Sequence, residues 1–253
     1  MRDATQRFSD RVANYVKYRP HYPAAMAGVL AERIGLLPSW RVADIGSGTG
    51  ISCEPFLEFG CTLVAVEPNR EMREAAEAWL GHNPSFHSLD GRAEATGLDP
   101  DSVDLVVVGQ AFHWFDRTAT RLEAFRILRD PKRALLMWND WHAGGAPFLR
   151  DYDALLRARM PERSVSDHRN LGASDFDAFF GPGRWERVEL PNKQLLDFEG
   201  LKGRLLSASY APKEGACNYE ETMADLAAMF ERHAEGGVVE FVYTTLLYFG
   251  EMG

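Results

Sequence analysis

The chain has 253 residues, 45% of them apolar and 26% charged, with a formal net charge of −9. That length suits one α/β domain with a large core and is too short for two full nucleotide-binding domains, and the composition excludes a disordered chain. The negative balance argues against nucleic acid as partner, because such binding depends on Lys and Arg neutralising phosphates.

Cys53, Cys61 and Cys217 are odd in number and form no C-x-x-C pair, so neither a disulfide framework nor a structural zinc site is indicated and no metal is expected. Met1 is followed by polar Arg2, Asp3, Thr5 and Gln6, and no apolar run reaches the ~18 residues of a membrane span. A cytoplasmic monomer or homodimer acting on a small molecule, away from membranes, is the expectation.

Residues 6–18 have Phe8, Val12, Tyr15 and Val16 at helical spacing, and the segment halts at Arg19-Pro20-His21-Tyr22-Pro23. Two readings of 15–23 stand: a rigid connector whose tyrosines pack on the domain, or a lid with Tyr15, Tyr18 and Arg19 facing a site. A second helix is predicted over 24–35, stopped by Gly35. A strand over 41–45 then runs into a glycine turn, and 51–59 reads as helix with Pro55 late enough to delay its first turn.

Strands follow at 62–66 and 85–89, with a helix at 70–80 between them. Another strand at 103–108 is rich in β-branched residues. A helix at 117–129 and a strand at 133–138 complete five strands alternating with helices, which means a parallel, doubly wound sheet covered on both faces. Beyond Trp138, helices are expected at 147–160, 174–180, 198–208 and 219–234, with strands at 185–196 and 238–249 forming an antiparallel edge pair. The division reads as one domain over 1–253: an N-terminal helical cover (1–38), a cofactor-binding core (39–138) and substrate-side helices with edge strands (139–253).

The turn reads Asp44-Ile45-Gly46-Ser47-Gly48-Thr49-Gly50. A dinucleotide fingerprint G-x-G-x-x-G would require glycine at 51, where the chain has Ile51, and no Gly-Lys-Ser/Thr follows to make a P-loop. An acidic residue beside the turn is a poor neighbour for pyrophosphate and a good one for a positive ligand. S-adenosylmethionine, with an α-ammonium and a sulfonium and no phosphate, fits. Glu67, at the end of the second strand, is placed to accept from ribose hydroxyls. The alternative is a helix cap at Asp44 and a solvated turn carboxylate at Glu67.

With Val66-Glu67-Pro68-Asn69, Gly91-Arg92-Ala93-Glu94, Ser102-Val103-Asp104-Leu105 and Gln110-Ala111-Phe112-His113-Trp114-Phe115 added to the glycine turn, the sequence resembles the class I S-adenosylmethionine-dependent methyltransferases. Within that class it is similar to the small-molecule group around the trans-aconitate, ubiquinone and menaquinone enzymes. The resemblance covers about 40–130 and implies a Rossmann-like, mostly parallel seven-stranded sheet of order 3-2-1-4-5-7-6. It further implies that Asp44, Gly46, Ser47 and Gly48 meet the methionyl and ribose portions, directly or through water, and that Glu67 and Pro68 lie at the ribose. Asn69 and Met72 would lie along the adenosine, Arg92, Ala93 and Glu94 at the adenine edge, and Gln110 and Ala111 at the methionyl group. The family often has Asp where Arg92 stands, which leaves the Ala93 backbone as the adenine contact. The element at 15–23 is similar to the N-terminal cover of this group, giving Tyr15 and Arg19 a cofactor or substrate role.

Methyl transfer needs chiefly a nucleophile held in line with water excluded, and a base only when the acceptor is a carbon acid, phenol or amine rather than a carboxylate. His113 is the candidate base; the alternative is that it only packs and shapes the pocket. His21, His142 and His168 are weaker candidates. A lid of Trp138, Trp141, Phe148, Tyr152, Tyr210 and Tyr219, with Arg150 and Arg204, would suit an apolar or aromatic acceptor bearing a carboxylate. An NAD-dependent oxidoreductase and a non-catalytic cofactor-binding module are the alternatives.

Overall fold

A computed structural model describes residues 11–144, 146–160 and 168–253. Part of the helix expected over 6–18, including Phe8, lies outside them; its described part is α1 (Val12–Tyr18). One seven-stranded sheet has the order β3-β2-β1-β4-β5-β7-β6. Its strands are β1 (Arg41–Ile45), β2 (Thr62–Val66), β3 (Phe86–Leu89), β4 (Val103–Gly109), β5 (Leu128–Asp140), β6 (Trp185–Leu196) and β7 (Val239–Glu251). The first five pair parallel, and β7 runs antiparallel between β5 and β6, the expected edge pair.

The helices are α2 (Ala25–Ile34), α3 (Glu54–Phe59), α4 (Arg70–Leu80), α5 (Arg117–Ile127), α6 (Pro147–Arg159), α7 (Ala173–Phe180), α8 (Phe198–Leu206) and α9 (Tyr219–His233). The α3 helix starts three residues later than a continuous reading of 51–59, with Pro55 in its first turn, where a missing N–H costs nothing. Strand β5 is much longer than 133–138, because Leu128 pairs with Val103 at one end and Asn139 and Asp140 pair with Thr245 and Thr244 at the other. Polar residues extended this strand, which apolar patterning does not register.

Successive residues of the central strands enter opposite cores, as period-2 geometry requires. Leu105 and Val107 join Met26, Leu30 and Phe56 on one face, whereas Val106 and Val108 join Phe112, Phe179 and Phe180 on the other. A third core, built from α6, α8, α9 and the far end of β7, contains Tyr152, Leu201, Leu205, Phe241 and Tyr243. Strand β7 therefore ties the C-terminal helices to the sheet.

The N-terminal segment is stapled across the sheet's carboxyl edge. Asn139 donates from Nδ2 to the carbonyls of Pro20 and His21, at 3.2 and 3.3 Å, and Asn192 donates to His21 at 2.8 Å. Arg11 reaches the carbonyls of Leu206, Ala208 and Ala211 past the end of α8. Tyr18 lies directly on Gly203, where an added Cβ would come within 2.0 Å of its ring.

Gly203→Ala is therefore expected to lift Tyr18 and α1 off α8 at a cost of about 1–3 kcal/mol, typical of overpacking. Thermal denaturation should show the loss, and trypsin should cut severalfold faster at Lys17; unchanged cleavage would mean that the cover is not held by this contact.

Candidate active site

The glycine turn is pinned to the end of β2 by its own amides. Gly46 and Ser47 N–H donate to the Val66 carbonyl at 2.8 and 3.3 Å, and Gly48 N–H donates to Glu67 Oε2 at 3.0 Å. The other oxygen of Glu67 accepts from Asn69 N–H at 2.8 Å, while Asn69 Oδ1 caps α4 by accepting from Met72 N–H at 2.9 Å. Arg73 fixes the same loop by donating to the Glu67 and Pro68 carbonyls. Burial raises the Glu67 pKa, against the two amides and Arg73, which favour the carboxylate.

Gly46 and Gly48 both have positive φ, +70° and +57°. At Gly46 a Cβ would meet the Phe115 ring at 2.7 Å, whereas at Gly48 it would enter open space, so Gly48 leaves a bare backbone cradle. Gln110 also has positive φ, 60°, as the chain leaves β4; this left-handed backbone costs a non-glycine residue roughly 1–2 kcal/mol. Such strain, held by the hydrogen bond from Gln110 N–H to the Met137 carbonyl at 2.9 Å, occurs where a side chain has to be aimed.

These elements enclose a cleft with two chambers that share Tyr15, Gly46, Gly48, Gly109, Gln110 and Trp114. The first, about 240 Å³, adds Glu67, Pro68, Asn69, Met72, Arg92, Ala93, Glu94, Ala111 and Phe115. Arg92 and Glu94 are exposed at its mouth, and Glu94 also accepts from Asp116 N–H at 3.1 Å. The second chamber, about 190 Å³, is lined on its sheet side by Ser47, Ser52 and His113 and on its outer side by residues of the cover and the C-terminal half. Arg19 and Ser47 thus belong to the second chamber, not the first.

Asp44 lines neither chamber. It is fully buried beneath them, with Oδ2 accepting from Ser52 Oγ at 2.5 Å and Cys53 Sγ at 3.2 Å, and with Oδ1 lacking a partner among the described residues. Burial pushes its pKa up to about 6, and nearby Glu67 pushes the same way, against the Ser52 and Cys53 hydrogen bonds.

His113 stands in the second chamber with its ring 6.3 Å from that of His168. His168 Nε2 lies 3.2 Å from Asp140 Oδ1, and Asp140, almost fully buried, also receives Arg169 at 2.7 Å and His142 at 3.3 Å. These partners hold Asp140 below the usual carboxylate range against the effect of burial. His21 lies elsewhere, paired with Glu54 at 2.5 Å. Of the suggested aromatic lid, Trp141 and Tyr210 line the chamber, while Trp138 is core, stacked 5.8 Å from His168. Arg150 and Tyr219 are away from it, and Arg204 lines it.

Residues 43–135 match a family described as methyltransferase domain. An uncharacterised methyltransferase of Mycobacterium bovis is 40% identical over 141 residues, 54% of each chain, and one of Bacillus subtilis is 30% identical over 145 residues, 55% of this chain and 54% of that one. The matched stretch spans about half the length of these relatives. Among solved structures, a provisionally assigned type II methyltransferase of Anaeromyxobacter dehalogenans superposes with a TM-score of 0.65 at 21% identity, over 92% of this chain and 98% of that one. At that identity the likeness establishes the fold alone. The chain thus carries a methyltransferase domain over 43–135, within a fold that it shares with these structures, and the cofactor that such a domain implies is S-adenosylmethionine.

The cleft fits that cofactor: the bare cradle at Gly48, a buried acidic oxygen at Asp44 that has no donor among the described residues and a buried carboxylate at Glu67 suit a ligand with an ammonium, a sulfonium and a diol. Sequence reading did not single out Asp140, Arg169, Asn139 or Tyr243, which come from distant segments and carry no local motif. Trp114 and Phe115 had a signal, the Gln110–Phe115 loop itself.

Two outcomes are expected in titrations with S-adenosylhomocysteine. Gly48→Ala should weaken binding at least tenfold, because its methyl enters the cradle; unchanged affinity would remove the turn from the site. The pH dependence has a definite sign. In the unliganded fold the raised Asp44 pKa gives a stability contribution present below about 4 and lost as pH rises through about 6. A bound ammonium favours the ionised form, so affinity should rise from pH 5 to about 7 and then level, and in Asp44→Asn this rise should flatten.

Proposed function

We propose that the protein transfers the methyl group of S-adenosylmethionine to a small-molecule acceptor bound in the second chamber. The observation that carries this reading is that the glycine turn, Glu67 and Gln110 converge at the carboxyl ends of β1, β2 and β4 on one chamber that adjoins another across shared lining residues. Of matched relatives, a demethylmenaquinone methyltransferase of Renibacterium salmoninarum is 23% identical over 133 residues, which is consistent with a small acceptor.

When bound, S-adenosylmethionine supplies an activated methyl whose departure leaves the electron pair of the broken S–C bond on sulfur. The chain's contribution is positioning. Glu67, each of whose oxygens already accepts one amide, has further lone pairs for the ribose hydroxyls, and Met72, Pro68 and Ala93 form an apolar bed for adenine. Asp44 offsets positive charge from below, while Gly46, Ser47, Asn69, Arg92, Glu94 and Ala111 complete the walls. Gln110 orients the methionyl end at the junction of the chambers, and Tyr15 and Trp114 exclude water there.

An acceptor that loses a proton on methylation needs a base in the second chamber. We assign this to His113, which lines the chamber with its ring 6.3 Å from that of His168. A carboxylate acceptor would need no such step.

The test is calorimetric titration of the protein with S-adenosylhomocysteine and with NAD, followed by a screen of small acceptors with labelled S-adenosylmethionine. Binding of S-adenosylhomocysteine but not NAD, with label transferred to at least one acceptor, is expected. Preference for NAD would favour an oxidoreductase, and cofactor binding without transfer across a broad screen would favour a non-catalytic module. With an acceptor in hand, His113→Ala should lower kcat about 10²-fold or more if a proton leaves. Wild-type turnover in that variant would remove the base assignment alone.

A further inference from the structure

We propose that the second chamber is built for an anionic acceptor, a small molecule bearing a carboxylate that is held between the guanidinium groups of Arg204 and Arg19. The proposal rests on the methyltransferase reading of the adjoining chamber, and deepens it by assigning the acceptor's charge.

The chamber is basic inside an acidic protein. Its lining includes Arg19, Arg169 and Arg204 with His113 and His168, and no Asp or Glu among the described residues. Arg169 is matched by Asp140 at 2.7 Å. Arg19 and Arg204 have no carboxylate within ion-pair distance among the described residues.

Arg204 is the decisive side chain because it is only 5% exposed. A buried cation is costly unless an anion or a full set of acceptors faces it. Arg204 has neither. Its Nε donates to Tyr243 Oη, its Nη1 donates to Tyr152 Oη at a long 3.3 Å, and its guanidinium carbon lies 3.7 Å from the centroid of the Phe241 ring. These contacts fix the plane of the fork without neutralising it, since both phenols are neutral: burial raises their pKa values, and Tyr243 keeps its proton to donate to Gln194 Oε1 at 2.7 Å. Nη2 has no hydrogen bond among the described residues, leaving N–H groups of the fork for a ligand.

Arg19 comes from a different element, the N-terminal cover, and lines the same chamber. It lies over the Tyr15 ring at 5.0 Å and donates weakly from Nη2 to the Ser207 carbonyl at 3.3 Å, and its Nε is buried without a partner. Arg19 and Arg204 line the chamber together with Tyr243, and both lower the pKa values of Tyr152 and Tyr243 against the larger effect of burial. A carboxylate placed there relieves both. Planar guanidinium forks set among aromatic rings match a planar carboxylate in shape as well as in charge.

The experiment uses the whole protein saturated with S-adenosylhomocysteine and matched probes: benzoate against benzamide, succinate against succinamide, and phenyl phosphate. At least one carboxylate should bind at least tenfold more tightly than its amide, and the preference should disappear in Arg204→Met and in Arg19→Met. Arg19 is half-buried, so its variant keeps the test available should Arg204→Met fail to fold. Equal binding of acid and amide by the wild type, a preference that survives in the variants, or binding of phenyl phosphate alone would overturn the proposal. Failure of S-adenosylhomocysteine to bind would instead strike the methyltransferase reading, and the acid and amide pairs titrated without it would still decide whether the arginine site exists.

Discussion

The Glu67 carboxylate is the interaction on which the cleft depends. One oxygen holds Gly48 N–H in the turn after β1, and the other holds Asn69 N–H at the start of α4, so one side chain sets the spacing of two neighbouring βα loops. Buried amides need acceptors, and a carboxylate satisfies two of them with charge-assisted hydrogen bonds while keeping lone pairs for a ligand. Removing it would leave two amides exposed to the cleft and unfix both the floor and one wall. A loss of binding at Glu67 would therefore combine a lost ligand contact with a lost scaffold.

A second constraint comes from the cover. Arg11, Tyr18 and the carbonyls of Pro20 and His21 are all held by groups of the C-terminal half, through α8, Asn139 and Asn192. Asn139 also accepts from Thr245 on β7, so the edge pair of the sheet and the lid share one polar junction. The second chamber is thus closed by the N-terminal cover and the C-terminal half acting together.

Much of this arrangement was legible in the sequence, and the boundary of legibility has a physical cause. The β1 and β2 ranges coincide with 41–45 and 62–66 because both strands are buried apolar runs ended by turn residues. Strand order followed from the resemblance at the glycine turn. Asp44 was visible as an acid beside that turn, but its place beneath the floor depends on Ser52 and Cys53 folding back over it. Arg204 illustrates the limit: in α8 it looks like any helical arginine, and only Tyr152 from α6 with Phe241 and Tyr243 from β7 make it buried. Its environment is a product of tertiary contacts across 52 residues of chain in one direction and 39 in the other, which no local pattern carries.

Charge is unevenly spread over the cleft: Glu67 and Glu94 line the first chamber with Arg92, Asp44 lies buried beneath both, and Arg19 and Arg204 line the second. On the proposed reading a cation and an anion would bind side by side, each on the wall that suits it, and the reverse placement would set like charges together in a poorly solvated space. The attraction between the two ligands would act along the line joining them, which is the line a methyl group has to travel. Transfer itself would remove the positive charge from sulfur, so the field that favours the bound pair would weaken once the reaction is complete. Electrostatics of this kind would orient the reactants beforehand and loosen the products afterwards, with Gln110 at the junction as the one polar side chain shared by both chambers apart from Tyr15 and Trp114.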